Sequence, residues 1–212
     1  MRTNFYIDAF NLYYGCVRGT PHKWLNLEEF CRRSFPSSIN QLNRIRYFTA
    51  LVKARPNDPQ QPVRQQTLLR ALGTLQTVSI HYGRYLDSQV RMKLVTPLPD
   101  GTDKVLVHKS EEKGSDVNLA AYLLLDGFEN DYDVAVVVSN DSDLCEPIRL
   151  VRQKLKKKVL ALLPCGPGRT QSYDLKRAVT KTFVVDPAIL AACQFPPQLN
   201  DAHGTIHKPK SW

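Results

Sequence analysis

The stretch from Asp133 to Ser139 constrains the fold more than any other part of the sequence. It reads Asp-Val-Ala-Val-Val-Val-Ser and is almost entirely apolar and β-branched. Such residues favour extended strands, and a strand without polar alternation has to be covered on both of its faces. Strands of this kind are typical of parallel sheets that lie between two layers of helices. The sequence therefore predicts an α/β protein with a mostly parallel sheet.

Strand-like and helical segments alternate along the chain around this stretch. Further strands are predicted at residues 4–8, 45–53, 77–82, 158–163 and 182–185, and helices at 25–35, 59–72, 115–127, 143–155 and 170–178. This alternation is typical of a doubly wound sheet flanked by helices. Residues 36–38 are expected to end the first of these helices, and residues 164–168 to form a loop. Two extended runs on either side of a turn-rich stretch at 97–101 predict a small appended hairpin.

The length fits one folded domain followed by a short tail. A chain of 212 residues can bury a core of its own without disulfides or metal staples. We assign residues 1–195 to this domain. The composition becomes polar and irregular after Phe195-Pro196-Pro197, so residues 196–212 are expected to form a flexible tail.

Composition excludes several classes of protein. Hydrophobic residues at 42% and charged residues at 23% are those of an ordinary globular chain, which argues against disorder and fibres. No apolar run approaches the roughly 20 residues of a membrane span, and Asp8 interrupts the N-terminus before a signal-peptide core could form. The five cysteines are odd in number and contain no C-x-x-C pair, so we expect reduced thiols. A cytoplasmic protein with no membrane partner is predicted.

The charge balance favours a polyanionic partner. Lys and Arg total 29 against 20 Asp and Glu, which leaves a net charge of +9. A surplus of this sign favours nucleic acid over an anionic membrane, because no basic amphipathic helix stands out. The sequence leaves a homodimer open as well.

Aspartates recur where predicted strands end or helices begin, at Asp8, Asp116, Asp141 and Asp143. Ligands of open parallel sheets gather beyond the carboxyl ends of the strands, where the strand order reverses. If strands 4–8 and 133–139 are neighbours, these acids converge there. Two carboxylates about 4 Å apart repel by about 4 kcal/mol at an effective dielectric of 20, so convergence calls for a cation. Oxygen ligands suit Mg²⁺ or Mn²⁺. Taken singly, each acid after Asp8 is better explained as a helix cap or a first-turn charge, so the prediction of a site rests on the four acids together.

The segments that hold these acids resemble a known family. They are Phe-Tyr-Ile-Asp-Ala-Phe-Asn-Leu-Tyr-Tyr-Gly at 5–15, Glu-Lys-Gly-Ser-Asp-Val at 112–117 and Ser-Asn-Asp-Ser-Asp-Leu at 139–144. In order and spacing they resemble three motifs of the NYN domains, a branch of the PIN-like metal-dependent ribonucleases. The similarity covers roughly residues 3–190. It implies a doubly wound parallel sheet and an acidic site that binds one or two Mg²⁺ or Mn²⁺ ions and hydrolyses RNA, leaving a 5′-phosphate and a 3′-hydroxyl.

The resemblance also implies roles for individual residues. Asp8, Asp116, Asp141 and Asp143 match the acids of the family as metal ligands and catalytic residues, and Asn11 matches their polar companion. Relatives often have Gly where this chain has Asn140. Asparagine tolerates a left-handed backbone better than most residues, so we expect the turn to be kept.

Six further residues are candidates for substrate contact, namely Tyr13, Lys113, Ser139, Arg149, Arg152 and Lys156. Tyr13, beside Tyr14, would stack on unpaired bases of single-stranded or structured RNA. Ser139 would steady a water at the metal, and the basic residues would contact phosphates. The competing interpretations are a core tyrosine, a serine bonded to backbone, and basic side chains that are merely solvated.

Two other functions remain open from the sequence. A Toprim-like enzyme also carries an Asp-x-Asp pair after a buried strand, although it would have Glu in place of Asp8. A catalytically silent RNA-binding or scaffold protein would use the same groove without turnover. A nucleotide-hydrolysing or dinucleotide-binding protein is not indicated, because the chain has no Walker or G-x-G-x-x-G loop.

Overall fold

The computed structural model describes residues 1–36, 41–166 and 168–212. The strands are β1 (Arg2–Asp8), β2 (Gln41–Thr49), β3 (Val78–Tyr82), β4 (Arg84–Lys93), β5 (Lys104–Lys113), β6 (Val134–Val138), β7 (Lys158–Leu163), β8 (Lys181–Val184), β9 (Gln198–Asp201) and β10 (Gly204–His207). The helices are α1 (Ala9–Leu12), α2 (Leu27–Arg33), α3 (Gln61–Leu72), α4 (Ser115–Phe128), α5 (Cys145–Lys154), α6 (Tyr173–Ala178) and α7 (Pro187–Ala192). Ser37 and Ser38 of the predicted helix end, and Pro167 of the predicted loop, lie outside the described residues. Within the described ranges, no helix has both the length and the apolar character that crossing a membrane requires.

A six-stranded parallel sheet forms the centre of the molecule. Its strand order is β3-β2-β1-β6-β7-β8, so the chain winds outward in both directions from the β1/β6 pair. Phe5 of β1 lies opposite Val136 of β6, which confirms the predicted neighbours. The doubly wound α/β fold is therefore as the sequence predicts, and its topological switch point lies between β1 and β6.

Both faces of the sheet are buried, as the apolar character of β6 requires. Phe5 and Ile7 of β1 belong to a core cluster with residues of α1, α2 and α3, whereas Tyr6 belongs to a second cluster with residues of α4, α5 and α6. Successive side chains of a strand point to opposite faces. Asp8, two residues after Tyr6, therefore lies on the face that α4 and α5 cover.

A buried ion pair holds α4 against this face. Asp126 of α4 is 1% exposed and accepts hydrogen bonds from the Arg46 guanidinium at 2.6 Å and from the Tyr6 hydroxyl at 2.7 Å. The Arg46 guanidinium also lies over the Tyr122 ring, 4.3 Å from its centroid. A charge this deeply buried is tolerated only when it is paired and hydrogen-bonded. The network fixes the position of α4, whose first turn carries Asp116.

Strands β4 and β5 form a separate antiparallel hairpin, as predicted, but with longer strands than the sequence indicated. The hairpin leads directly into α4 through Gly114, which has φ 98°. This left-handed conformation is strained for a residue with a side chain, so glycine suits the sharp entry into the helix.

The C-terminal residues differ from the flexible tail that the sequence predicted. Strands β9 and β10 pair as a hairpin, and Ile206 is 2% exposed against the core. The Arg70 guanidinium of α3 binds both carboxylate oxygens of Asp201 at 2.6 Å. The Trp24 indole donates to the Pro196 carbonyl at 2.8 Å. These contacts join residues far apart in sequence, so the polar local composition gave no sign of them.

Candidate active site

Asp8 ends β1 and is held from several sides. It is 3% exposed, and its side chain caps α1 by accepting from the Asn11 backbone amide at 2.9 Å. Its other oxygen, Oδ2, accepts from Asn11 Nδ2 at 2.7 Å and from Ser139 Oγ at 3.1 Å. The side-chain amide of Asn11 therefore donates to the carboxylate of Asp8. Ser139 likewise orients Asp8.

The third motif is bonded to the first. The Asn140 backbone amide donates to Asn11 Oδ1 at 3.2 Å, and the Asp141 backbone amide donates to Ser139 Oγ at 3.1 Å. Asp141 in turn accepts from the Asp143 backbone amide at 3.0 Å and starts a 3₁₀ turn, Ser142–Leu144. The carboxyl ends of β1 and β6 are therefore fixed relative to each other.

Asn140 does not adopt the left-handed backbone that we expected. In the described ranges, the residues other than glycine with a positive φ are Asn130 and Lys156. Its side chain instead donates to the Thr170 carbonyl at 3.0 Å and accepts from the Ser172 backbone amide at 2.7 Å. A glycine here would lack both bonds. Asparagine at this position ties the third motif to the segment that leads into α6.

Asp116 lies in the first turn of α4, and its pKa is raised to about 6. Burial is the largest cause, followed by the charges of Asp8, Asp141, Glu112 and Asp143. The aspartates singled out by the sequence therefore lie within electrostatic reach of Asp116. Glu112 was missed as an acid, although it stands in the second motif. Its carboxylate accepts from the Ser115 backbone amide at 3.2 Å and from Ser115 Oγ at 2.7 Å, at the start of α4.

Burial also raises the pKa of Asp8, against the lowering effect of its bonds to Asn11 and Ser139, and the charge of Asp141 raises it further. In the described part of the chain, no ion pair joins a Lys or Arg to Asp8, Asp116, Asp141 or Asp143. Like charges at short range without a cation are unfavourable. The electrostatics of this site favour a bound cation.

The donor set fits a hydrated hard cation. Among residues 1–36, 41–166 and 168–212, no three His, Cys, Asp or Glu side chains are grouped closely enough to bind one ion together. Mg²⁺ in proteins usually keeps several waters and takes only one or two carboxylates. Asp8 and Asp141, joined through Ser139, offer carboxylate oxygens of that kind at the switch point. The side chains present are thus compatible with Mg²⁺ or Mn²⁺ held partly through water.

The predicted row of basic residues on α5 does not face the acids as a group. This helix starts beside the site and runs toward the opposite edge of the sheet, where Lys158 begins β7. Arg152 donates to the Ala178 carbonyl at 2.5 Å, and Lys156 lies beyond the end of α5. At a rise of about 1.5 Å per residue, the end of α5 is more than about 13 Å along the helix axis from its start, and Lys156 follows that end. Arg149, which pairs with Glu146, lies in the first half of α5.

The remaining candidates, Lys113 and Tyr13, each lie close in the chain to one of the aspartates of the site. Lys113 ends β5 beside the second motif, is half-exposed and approaches Glu111 at 3.4 Å. Tyr13 is half-buried, packs against the core and meets Tyr14 edge-to-face with ring centroids 5.1 Å apart. Tyr13 is therefore compatible with both interpretations, because part of its side chain packs in the core and part is exposed.

Repulsion among the acids should lower the free energy of unfolding by a measurable amount. The pKa of Asp116 is raised from 3.8 to about 6. Between these values the folded state holds more protons than the unfolded state, so the free energy of unfolding falls as pH rises through this window. We expect Asp116→Asn to raise the free energy of unfolding at pH 7.5 in EDTA by about 0.5–1 kcal/mol, a figure reduced for solvent screening. The gain should shrink toward pH 4.

Urea denaturation at both pH values makes this measurement. An acid in the first turn of a helix is ordinarily favourable, so a helix without repulsion would lose stability on the same change. Asp186→Asn is the matched control, because Asp186 caps α7 and accepts from the Ala188 backbone amide at 2.8 Å. Equal losses in both variants at pH 7.5 would contradict the repulsion.

Comparison with known proteins places the chain in a family. The model of the NYN domain family matches residues 2–186. A curated relative, 6-hydroxy-3-succinoylpyridine 3-monooxygenase HspA of Pseudomonas putida (strain DSM 28022 / S16), is 34% identical over 239 aligned residues, which cover 100% of this chain and 75% of that protein. A solved structure of a protein of unknown function, VPA0982 from Vibrio parahaemolyticus RIMD 2210633, has a TM-score of 0.54 at 17% identity and shares the fold. That comparison covers 87% of this chain and 93% of the other. Since the family model spans nearly the whole sheet and all three acidic motifs, this chain belongs to the NYN domain family.

Proposed function

We propose that the protein is a Mg²⁺- or Mn²⁺-dependent ribonuclease that hydrolyses RNA phosphodiester bonds at the acidic site. The observation that carries the proposal is the group of carboxylates at the β1/β6 switch point that has no cationic partner in the described ranges. Membership of the NYN family, whose fold is nuclease-like, supports a nuclease. The net charge of +9 supports a polyanionic substrate.

Asp8 and Asp141 would hold the ion, with Asp116 and Asp143 completing the site directly or through water. A divalent ion bound there would lower the pKa of a water and neutralise charge on a phosphoryl oxygen. In the reaction, the oxygen of water bonds to phosphorus, the P–O3′ bond breaks, and the 3′ oxygen takes up a proton. The products are a 5′-phosphate and a 3′-hydroxyl.

The chain's own residues would orient these groups. Asn11 and Ser139 fix both oxygens of Asp8, and the serine hydroxyl is itself held by the Asp141 backbone amide. Carboxylates held this way need little reorganisation when the ion and substrate bind, which is the source of catalytic advantage in a preorganised site. Lys113 and Arg149 stay available for phosphate contact at the rim.

Cleavage of labelled RNA tests the proposal. Single-stranded and hairpin RNAs would be incubated with the protein in Mg²⁺, Mn²⁺ or EDTA, and the product ends mapped. We expect cleavage with either ion, none in EDTA, recovery when the ion is restored, and 5′-phosphate ends. Persistent cleavage in EDTA would contradict the metal dependence. RNA binding without cleavage under every metal would favour a silent RNA-binding protein, and a preference for DNA would favour the Toprim-like alternative.

A second candidate is oxygenation of a small heteroaromatic acid, and the specific observation in its favour is the likeness to HspA, which is named for a pyridine substrate. Monooxygenation needs dioxygen and a two-electron reductant such as a reduced nicotinamide. Incubation with 6-hydroxy-3-succinoylpyridine, dioxygen and reduced nicotinamide, followed by product chromatography, separates the two candidates. Turnover there, with no RNA cleavage, would replace the ribonuclease proposal.

A further inference from the structure

A cavity opens near the acidic site, on the opposite face of the sheet. It has a volume of about 420 Å³ and lies among α1, the end of β2, the start of α3 and the C-terminal residues. This volume lies within the range of roughly 300–1,000 Å³ that small-molecule and cofactor sites occupy. Ala9 and Phe10, which line it, directly follow Asp8. The cavity therefore shares its edge of the sheet with the acids.

Five of the fifteen residues that line the cavity are aromatic, namely Phe10, Tyr13, Tyr14, Tyr47 and Trp212. Tyr13 and Tyr14 meet edge-to-face with ring centroids 5.1 Å apart, and the Arg18 guanidinium lies over the Tyr14 ring, 5.5 Å from its centroid. Burial raises the pKa of Tyr47, and the charge of Asp8 raises it further, so the Tyr47 ring lies within electrostatic reach of the acidic site. Aromatic surfaces of this kind hold planar rings by stacking.

The charged side chains of the cavity have a net positive charge. In the described part of the chain, one lysine of the wall forms no ion pair and one glutamine side chain forms no hydrogen bond. Asp58 forms an ion pair with Arg64, whereas Lys23, also at the wall, forms none in the described part of the chain. The Gln61 side chain likewise makes no hydrogen bond with the described residues, unlike Gln65, which bonds the backbone at Ala50 and Val52. An ammonium group and a free amide inside an aromatic cavity match an anionic group and the polar edge of a ring.

We infer that this cavity binds one planar heteroaromatic ring that carries a negatively charged group. Under the proposed ribonuclease function, on which this assignment of the source rests, the ring is the base of a nucleotide next to the bond that is cleaved. The aromatic walls stack on the base, Gln61 bonds its polar edge, and Lys23 contacts a phosphate. The acids thus cleave the phosphodiester bond, and the cavity holds an unpaired nucleotide beside it.

Calorimetric titration in EDTA tests the cavity without relying on turnover. The probes are the four nucleoside 5′-monophosphates and, as free heteroaromatic acids, nicotinate and 6-hydroxynicotinate. We expect at least one mononucleotide to bind wild type, and Tyr14→Ala to weaken it by about fivefold or more, the lower range for loss of one stacking ring. Lys23→Gln should weaken binding and reduce its dependence on salt.

Matched controls are available at the opposite edge of the sheet. Phe128 is an aromatic residue, 81% exposed, at the far end of α4, and Lys158 is an exposed lysine at the start of β7. We expect Phe128→Ala and Lys158→Gln to bind as wild type does. Circular dichroism and melting of Tyr14→Ala verify that the fold is kept. Equal affinity of Tyr14→Ala, Lys23→Gln and wild type would overturn the cavity as the binding site.

The outcomes separate the cavity from the ribonuclease function. In cleavage assays, Tyr14→Ala should raise KM for RNA and leave kcat nearly unchanged, whereas Asp8→Asn should keep mononucleotide binding. RNA cleavage without any mononucleotide binding would overturn the cavity and leave the function standing. Mononucleotide binding without RNA cleavage would leave the cavity standing as a binding site and overturn the ribonuclease function. Binding of the free acids alone would support the ring-and-anion chemistry and overturn the nucleotide as its source.

Discussion

Replacing Asp8 by asparagine is expected to lower kcat for RNA cleavage by about 10²- to 10³-fold. A bound metal ion supplies several kcal/mol of transition-state stabilisation, and each 1.36 kcal/mol corresponds to a factor of ten in rate. Asparagine has nearly the same shape but no charge, and its amide would place a donor against the donors of Asn11 and Ser139. The variant therefore loses the negative charge, and one of the two oxygens of Asp8 is replaced by an NH₂ group.

Steady-state cleavage of a labelled RNA in saturating Mn²⁺ measures this loss, with circular dichroism to verify the fold. Asp186→Asn is again the matched control, because it removes the charge of a helix-capping aspartate at α7, outside the site. We expect the control to cleave at the wild-type rate. An Asp8→Asn variant that keeps more than a tenth of the wild-type kcat would rule out Asp8 as a principal ligand.

Asp126→Ala is expected to cost about 3–5 kcal/mol of unfolding free energy, the usual loss when one member of a buried ion pair is removed. The change leaves the Arg46 guanidinium and the Tyr6 hydroxyl, both buried, without their acceptor. For a chain of this size, 1 kcal/mol corresponds to a shift of about 2–4 °C in Tm, so a drop of at least 6 °C is expected. Urea unfolding and thermal melts make the measurement.

An exposed ion pair provides the contrast. Asp133 pairs with Arg2 at 3.5 Å, and both side chains are more than 40% exposed, so Asp133→Ala should lower the free energy of unfolding far less than Asp126→Ala does. The double variant Asp126→Leu with Arg46→Met should recover much of the stability, because apolar residues can replace a buried pair when both charges go together. Equal small losses in Asp126→Ala and Asp133→Ala would show that the buried pair does not hold α4.

The core of the fold is readable from short segments. An apolar stretch such as 134–138 leaves little choice but a strand covered on both faces, and the structure places β6 at the centre of a parallel sheet. The limits of β1, β6, β7 and α4 lie within two residues of those predicted. Local periodicity carries this information because each side chain's burial repeats with the geometry of its own element.

The C-terminal segment shows where local patterns fail. Its strands β9 and β10 are short and polar, and they are held by Arg70 of α3 and by the burial of Ile206. A single buried side chain and one long-range ion pair produce no periodic signal. Helix α7, of six residues, was not predicted, whereas α6, of the same length, was predicted as part of the longer segment 170–178.

The acidic site lies between these two cases. The positions of Asp8, Asp116, Asp141 and Asp143 at strand ends and helix starts are visible in the sequence, whereas the part played by Asn140 is not, because its partners Thr170 and Ser172 lie 30 or more residues away. The direction in which α5 runs was not visible in the sequence either. On a helical wheel Arg152 and Lys156 share a face with Arg149, but the direction of α5 carries them away from the acids.

The order of residues along the chain thus determined the kinds of elements, their sequence and the acids at their ends, because hydrophobic periodicity and strand composition act over neighbouring residues. Only the folded arrangement decided which ends meet, which acid gains the proton near pH 6, and that Ser211 and Trp212 at the C-terminus line a cavity beside them. Burial and electrostatic interaction depend on distances between residues remote in sequence, and those distances exist only once the sheet has formed.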